Sequence, residues 1–221
     1  MSEQPEQPQP SRLERRKQRT RAALIRAAQG FIAVDKLNVP VLDITQAADV
    51  GMGSFYNHFE GKEELFEAAV AEVLDAHGAL LDRLTESLED PAEAFAFSFR
   101  MTGRLFRLRP QECRIMLRSG PALISSDRGL APRARRDIAA AAEAGRFHIS
   151  DPRVSMVIAG GALMGLGQLL SDEPDRDDAE AADQVTEDLL RLFGLPEDEA
   201  SDICRRPLPD LSDLGEPGSA A

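Results

Sequence analysis

The fold is decided by residues 43–65, which read DITQAADVGMGSFYNHFEGKEEL. The spacing of apolar residues predicts two short helices separated by a tight break at residues 48–51. The second helix covers residues 52–58 and places Phe55 and Phe59 on one side. Two short helices joined by a tight turn form a helix-turn-helix, whose second helix is suited to the DNA major groove.

A longer amphipathic helix precedes this pair. Apolar residues recur at helical spacing between Thr20 and Ile32, which predicts one buried stripe. Pro40 stands where the next helix should begin, a position that proline favours. The first part of the chain is therefore predicted to be a three-helix unit.

The charge is distributed unevenly along the 221 residues, which carry a net charge of −12. Residues 1–62 hold nine Lys and Arg against seven Asp and Glu. The basic residues are concentrated in the first helix, at Arg12, Arg15, Arg16, Lys17, Arg19, Arg21 and Arg26. Such a cluster is typical of a polyanion-binding surface, although a solvated helix face gives the same pattern.

The segment 43–65 resembles the DNA-binding signature of the tetracycline-repressor (TetR) family, and so does the lead-in Ala27-Ala28 followed by Phe31. Membership implies an all-α fold, with an N-terminal helix-turn-helix domain and a larger helical domain for ligand binding and dimerisation. It also implies a homodimeric transcriptional repressor that binds a palindromic operator in double-stranded DNA and is released by a small-molecule effector.

The sequence departs from the family pattern at three places. Asp35 and Asp49 stand where many members have glycine, and we expect both to adopt the left-handed conformation that aspartate tolerates. Val39 and Pro40 replace the usual serine or threonine that binds phosphate, so Thr45 is the predicted substitute.

The resemblance and the side-chain chemistry together predict which residues contact DNA. Met52 and Gly53 would lie at the helix tip, where Met52 could meet a thymine methyl. Tyr56 and His58 could donate to phosphates, while Ser54 and Asn57 could bond base edges or backbone. Lys62 resembles the family's phosphate-binding lysine at the start of a helix. The predicted DNA-binding residues are Thr45, Met52, Gly53, Ser54, Tyr56, Asn57, His58 and Lys62.

The remainder of the chain has the pattern of helices. Pro110 separates two of them, another runs over residues 138–144, and a cap at Asp151 starts an apolar helix. We expect a further short helix after Pro196. The predicted division is a disordered tail at 1–10, the DNA-binding domain at 11–61, the effector-binding and dimerisation domain at 62–204, and a flexible tail at 205–221.

The apolar residues 154–170 admit two interpretations. Seventeen residues containing Ser155 and Gln168 are marginal for crossing a membrane. Gly161 and Gly165 would allow another helix to approach closely. Because the last two long helices of family members pair with their copies, we expect a dimer interface and no membrane partner.

The effector pocket is predicted on the helices that family members wrap around a ligand. Its candidate residues are Phe95, Phe99, Phe106, Met116, Met156 and Met164, although each fits an ordinary core as well. The effector would be apolar, with an acidic group as one option. Arg100, Arg104 and Arg107 could meet such an acid, or could form an ion-paired face.

Other function classes lack their motifs. The sequence has no GxSxG, HExxH or P-loop, and Cys113 and Cys204 have no metal-ligand spacing. We therefore expect no enzyme activity, no cofactor and no metal. The N-terminus has no secretory pattern, which favours the cytoplasm. A DNA-binding regulator without an effector stays open as an alternative, and a helical enzyme is a remote one.

Overall fold

The structure, a computed structural model, describes residues 11–209, apart from the side chains at positions 119, 121 and 122. Over these residues it consists of helices, turns and loops, without a β-strand. The predicted tail at 1–10 and most of the predicted tail at 205–221 lie outside the described residues. The helices are α1 Arg12–Ala33, α2 Val41–Ala47, α3 Met52–Phe55, α4 Lys62–Thr85, α5 Pro91–Leu108, α6 Pro110–Ser119, α7 Leu130–Glu143, α8 Pro152–Asp172, α9 Asp178–Leu192 and α10 Glu197–Arg205.

The described residues divide into two compact units, the first ending at Ala69 and the second beginning at Val70, so helix α4 begins in the first and continues into the second. In the first unit α1, α2 and α3 surround a core that contains Leu24, Ile44 and Phe55, each fully buried. The predicted three-helix unit is confirmed. Helix α3 is shorter than predicted, because residues 56–58 form a turn instead of a last helical turn.

Aspartate occupies the two left-handed turn positions of the first unit, as predicted. Asp35 has φ 60° and Asp49 has φ 52°, and no other non-glycine residue among those described has positive φ. After Asp49, the Val50 N–H donates to the Thr45 carbonyl at 3.0 Å. This turn separates α2 from α3 and fixes the start of α3 at Gly51, its N-cap.

Helix α5 lies at the centre of the second unit and packs against α7, α8, α9 and α10. Its close approach to α9 requires Gly103, since a Cβ there would lie 2.4 Å from the Ala182 Cβ. Near the start of α5, Phe95 forms an aromatic cluster with Phe147 and Phe193, with ring centroids 5.1–5.7 Å apart. These contacts fix the rotation of α5 and hence the direction in which each of its faces points.

The boundaries of the second unit follow local signals, with one exception. Asp90 and Asp151 cap α5 and α8 through their carboxylates, and each cap is followed by proline at the first helical position. Helix α10 after Pro196 is confirmed. Helix α7 begins at Leu130, eight residues before the predicted start, because Gly129 with φ 71° turns the chain into it beside Leu74.

Candidate nucleic-acid interface and ligand pocket

The residues nominated for DNA contact lie mostly in one short exposed segment. Tyr56 is 61% exposed and Met52 40% exposed, and Gly53 and Asn57 are exposed as well. Ser54 and His58 are half-buried. The buried rings of Phe55 and Phe59 hold the segment against the core. We call residues 52–58 together with Lys62 the reading surface.

Thr45 does not fit its predicted role. Its side chain is 2% exposed, and its hydroxyl donates to the Leu42 carbonyl at 2.9 Å. A hydroxyl that is buried and already donating inside α2 cannot reach a phosphate. The helical spacing predicts Ala47 on the inner side, but Thr45 is buried beside Ile44 and Ala47 is exposed.

Lys62 stands at the first position of α4. Its Nζ donates to Asn38 Oδ1 at 3.0 Å, which directs the ammonium across the loop before α2. The neighbouring carboxylate of Glu64 accepts from the Glu60 N–H at 2.6 Å and so braces the loop that leads into the helix. An ammonium placed beside a helix N-terminus can bind an anion together with the free backbone N–H groups.

Two cations of α1 lie beside the reading surface. The guanidinium Cζ of Arg21 lies 5.2 Å from the Phe59 ring centroid. Partial burial lowers the pKa of His58, and the charges of Arg21 and Lys17 lower it further. His58 is therefore biased towards the neutral form, in which one ring nitrogen can donate and the other accept. The basic cluster in the sequence includes Arg21, but only the structure places this side chain beside His58.

A cavity lies in the second unit among α4, α5, α7 and α8. The volume inside it that is open to the centres of water-sized spheres is about 70 Å³, and it is partly open to solvent. Its walls are mostly apolar, which is typical of small-molecule sites. The apolar lining comprises Leu81, Phe95, Phe99, Leu123, Ile124, Leu130, Ala131, Ala134, Met156, Ala159, Gly160 and Leu163.

Three of the six predicted ligand residues line this cavity, namely Phe95, Phe99 and Met156. The others do not. Phe106 packs on the α8 backbone, since a Cβ at Gly167 would lie 2.6 Å from its ring. Met116 is a buried core residue of α6, and Met164 is a half-buried residue of α8 outside the cavity wall.

Polar groups on one side of the cavity form a charge-balanced network. Arg133 and Asp137 of α7 line the cavity. Arg133 Nε donates to Asp82 Oδ2 at 2.7 Å, and Arg136 Nε donates to Asp137 Oδ1 at 3.0 Å. Burial raises the pKa of Asp137, although the hydrogen bond from Arg136 opposes this. We call Asp82, Arg133, Arg136 and Asp137 the polar quartet; no motif in the sequence pointed to it.

A buried hydrogen bond connects the cavity wall to α4. The Thr102 hydroxyl lines the cavity and donates to the Ser98 carbonyl at 2.8 Å. His77 Nε2 lies 3.0 Å from the same oxygen, so this nitrogen is the donor. Desolvation lowers the pKa of His77 to about 4, with smaller contributions from Arg109 and Arg133. His77 is therefore neutral at physiological pH and holds α4 against α5.

Two arginines of the predicted basic stripe of α5 are ion-paired, in agreement with one of its two interpretations, and the third bonds backbone carbonyls. Arg100 Nε and Arg104 Nη1 both donate to Asp183 Oδ1 at 2.8 Å. Arg107 donates to the backbone carbonyl of Glu173 at 2.6 Å. These groups tie α5 to α9 and to the loop after α8, on the side of α5 opposite the cavity.

Helix α8 has an exposed apolar face. Val154 is 55% exposed and Val157 58% exposed. Added Cβ atoms at Gly161 and Gly165 would meet nothing within 4 Å, so the space over both glycines is open in the single chain. Among the described residues α8 is also the one helix long and apolar enough to cross a membrane, judged by length and composition only, with 33% of that stretch buried.

Family models match both units of the chain. Residues 26–69 match the model described as bacterial regulatory proteins, tetR family. Residues 90–206, more than half of the chain, match the tetracyclin repressor-like C-terminal domain. The chain belongs to the TetR family.

Solved structures agree with this assignment. The ligand-free structure of RolR is 33% identical, with a TM-score of 0.67 over 86% of this chain and 98% of RolR. RolR in complex with its ligand resorcinol is 30% identical, with a TM-score of 0.61 over 89% of this chain and 98% of RolR. The fatty acid degradation regulator FadR from Bacillus halodurans is 17% identical, with a TM-score of 0.66 over 77% of this chain and 94% of FadR, and shares the fold. No curated protein sequence matches the chain.

As a TetR-family protein, the chain is a DNA-binding transcriptional regulator with a helix-turn-helix domain and a ligand-binding C-terminal domain. The family consists of soluble regulators, not of enzymes. The predicted family, fold class and general function are confirmed.

The buried His77 predicts an acid-dependent loss of stability. Its folded pKa of about 4 lies below the unfolded value of about 6.5, so the unfolded chain takes up the proton first as the pH falls. The contribution of neutral His77 to the free energy of unfolding is fully present above pH 6.5 and is lost as the pH falls towards 4. The loss between pH 7 and pH 5 is about 2 kcal/mol. His77→Gln should remove this part of the pH dependence in urea titrations at one protein concentration. Identical pH profiles for the two proteins would contradict the assigned burial.

Proposed function

We propose that the protein is a cytoplasmic homodimeric repressor that binds a palindromic operator and leaves it when an uncharged hydroxylated aromatic compound occupies the cavity among α4, α5, α7 and α8. The observation that carries the proposal is the apolar cavity with the polar quartet on one side. An apolar space with a few polar groups on one side is typical of small-molecule sites, which favours an effector over the alternative of a regulator without one.

The reading surface would divide its contacts between bases and phosphates. Ser54 and Asn57 carry groups that bond base edges, while Tyr56, His58 and Lys62 donate to phosphates. Met52 and Gly53 lie at the start of α3, where the backbone can approach the groove closely. Phosphate contacts would position the protein and base contacts would select the sequence.

Dimerisation would bring two reading surfaces to one operator. The exposed face of α8, with Val154, Val157 and the open glycines, has no partner within the described chain. Packing it against the same face of a second copy would remove its apolar side chains from water and give two-fold symmetry. The two α3 helices would then meet successive major grooves, about 34–36 Å apart.

The chemistry of the cavity favours a neutral ligand. The polar quartet contains two carboxylates and two guanidiniums that already pair with each other, so a ligand carboxylate would find no free cation there. A hydroxyl group can instead donate to Asp137, and an aromatic ring fits between Phe95, Phe99 and Met156. RolR, which is similar over most of the chain, has resorcinol as its ligand. This revises the acidic group considered from the sequence.

Helix α4 would transmit occupancy of the cavity to DNA. It supplies Lys62 at its start, and Leu81 of the same helix lines the cavity. The hydrogen bond from His77 to Thr102 ties it to the cavity wall. A ligand that fits a different position of α4 better would weaken operator binding, with a coupling typically of about 1–3 kcal/mol.

The reading surface can be tested by comparing two kinds of substitution. Lys62→Ala should weaken binding to all duplexes alike and make the salt dependence shallower by roughly one unit per site, because it removes a phosphate contact. Asn57→Ala should instead change the sequence preference, at a cost of about 1–3 kcal/mol on the preferred operator. Fluorescence anisotropy titrations at several salt concentrations, on an operator selected from a random duplex library, measure both effects. Unchanged affinity in both variants would remove these residues from the interface.

Dimerisation can be tested at Gly165. Because an added Cβ there meets nothing within the chain, Gly165→Arg should fold normally and yield monomers that no longer bind the operator. Ala144→Arg adds the same charge at an exposed position after α7 and is the matched control. Sedimentation at micromolar concentration should show dimers for the wild type and the control. A monomeric wild type would refute the interface.

Ligand binding can be tested by thermal shift with resorcinol, phenol and benzoate. A ligand of the folded state at a hundredfold its Kd adds about 2.7 kcal/mol of stability, so resorcinol and phenol should raise the melting temperature and benzoate should not. Asp137→Asn should weaken binding of the hydroxylated compounds, and Phe99→Trp should fill the space. Asp175→Asn, in an exposed loop, is the control for the charge change. A larger shift with benzoate than with resorcinol would overturn the proposed ligand class.

A further inference from the structure

The first two turns of α1 form a cationic helical segment that has no packed side. Every residue from Arg12 to Arg19 is exposed, whereas burial begins at Leu24. The segment carries Arg12, Arg15, Arg16, Lys17 and Arg19 against a single carboxylate, Glu14. We call residues 12–19 the α1 arm. None of its side chains is packed in the core, so packing does not explain why the segment is cationic.

The charges of the α1 arm oppose its own helix. Cations near a helix N-terminus are repelled by the positive end of the helix dipole, and like charges three or four residues apart repel each other. Arg12 and Arg16 form one such pair, and Arg15 and Arg19 form another. Other helices of this chain follow the opposite rule: α4, α9 and α10 begin with acidic residues. The arm therefore carries a free-energy penalty in the free protein.

The arginines of the α1 arm also have no carboxylate partners. Within residues 11–209, none of Arg12, Arg15, Arg16 and Arg19 forms an ion pair. Arginines throughout the second unit do, among them Arg133 with Asp82 and Arg146 with Asp90. Among the described residues, many arginines of the second unit are thus neutralised by carboxylates, whereas those of the arm are not.

The α1 arm is nevertheless held as a helix. Ser11 Oγ accepts from the Glu14 N–H at 3.2 Å, and the Glu14 carboxylate accepts from the Ser11 N–H at 2.6 Å. This capping box satisfies N–H groups that the helix start would otherwise leave free. The arginines are therefore presented on a formed helix, continuous with the one that carries Arg21 beside Phe59.

The position of the arm relates it to the reading surface. Arg21, one turn after Lys17 of the arm, places its guanidinium 5.2 Å from the Phe59 ring centroid, and the Phe59 and His58 ring centroids are 6.4 Å apart. A polyanion in contact with His58 would therefore lie within reach of the long side chains that follow Ser11.

We propose that the α1 arm is a second DNA-binding element, which binds backbone phosphates flanking the bases that meet α3. The inference rests on the proposed operator binding and adds a sequence-independent contact to it. On binding, each arginine would pair with a phosphate, which relieves the repulsion from neighbouring arginines. The pairing would also release condensed counterions from the duplex. The arm would extend the footprint outward and raise affinity for operator and non-operator DNA by the same factor.

The test replaces Arg12, Arg15, Arg16 and Arg19 together by glutamine, which keeps helix propensity and removes the charge. The matched control replaces four exposed arginines of the second unit, Arg83, Arg114, Arg128 and Arg205, by glutamine. Both variants are titrated against a duplex of mixed sequence about three helical turns long, and against the selected operator with and without flanking base pairs. Melting temperatures are measured without DNA.

The arm variant should bind both duplexes at least tenfold more weakly, with a salt dependence shallower by about 0.9 for each phosphate that it no longer neutralises. The arm variant should also bind the operator equally well with and without flanking base pairs. Its melting temperature should equal or exceed that of the wild type, because repulsion among the arginines is relieved. The control should retain the wild-type DNA affinities and salt dependence, and loss of the Arg128–Asp75 and Arg205–Asp202 ion pairs should affect only its melting temperature. Unchanged salt dependence in the arm variant, or the same weakening in the control, would overturn the proposal. A wild type that binds neither duplex would instead refute operator binding itself.

Discussion

The shared ion pair of Arg100 and Arg104 with Asp183 is the interaction on which the second unit depends. Helix α5 is enclosed by four other helices, yet it carries an arginine whose side chain is only 5% exposed. A buried guanidinium is tolerated only when it is paired and hydrogen-bonded. Partial burial opposes ionisation of Asp183, but hydrogen bonds from Arg104 and Arg100 outweigh it and lower its pKa. Arg100 also donates to the Arg206 carbonyl at 2.9 Å, which fixes the end of α10.

Together with the packing of Gly103 on Ala182, this pairing determines which way α5 faces. With Arg100 and Arg104 turned towards α9, the stripe of Phe95, Ser98, Phe99 and Thr102 must point to the opposite side, because residues three and four apart share a helix face. That stripe forms one wall of the cavity, and Thr102 carries the hydrogen bond to His77 of α4. The ion pair therefore positions both the cavity wall and its connection to the helix that begins with Lys62.

The first unit was predictable from sequence because its determinants are local. The turn residues Asp35 and Asp49, the core rings of Phe55 and Phe59, and the start of α4 at Lys62 each follow from neighbouring residues. The prediction for Thr45 is wrong because a helix as short as α2 offers too few apolar residues to define its buried face. The cavity was predictable only in part. Periodicity indicated the right stripe on α5, but Phe106 at its far end meets Gly167 instead of the cavity. Arg133 carries no local signal, because its partner Asp82 lies in α4, about fifty positions earlier in the chain. In the sequence, the members of such a long-range pair are separate charged residues that share no motif.

The central claim is that the cavity and the operator are energetically coupled, and one measurement tests it most directly. Titrating resorcinol by calorimetry into the free protein and into the protein saturated with selected operator DNA gives two dissociation constants. Their ratio must equal the factor by which saturating resorcinol weakens operator binding, since coupling between two binding sites is reciprocal. Coupling predicts an affinity for resorcinol that is about 5–150-fold weaker when DNA is bound. Equal affinities in the two states, with resorcinol bound in both, would contradict the claim.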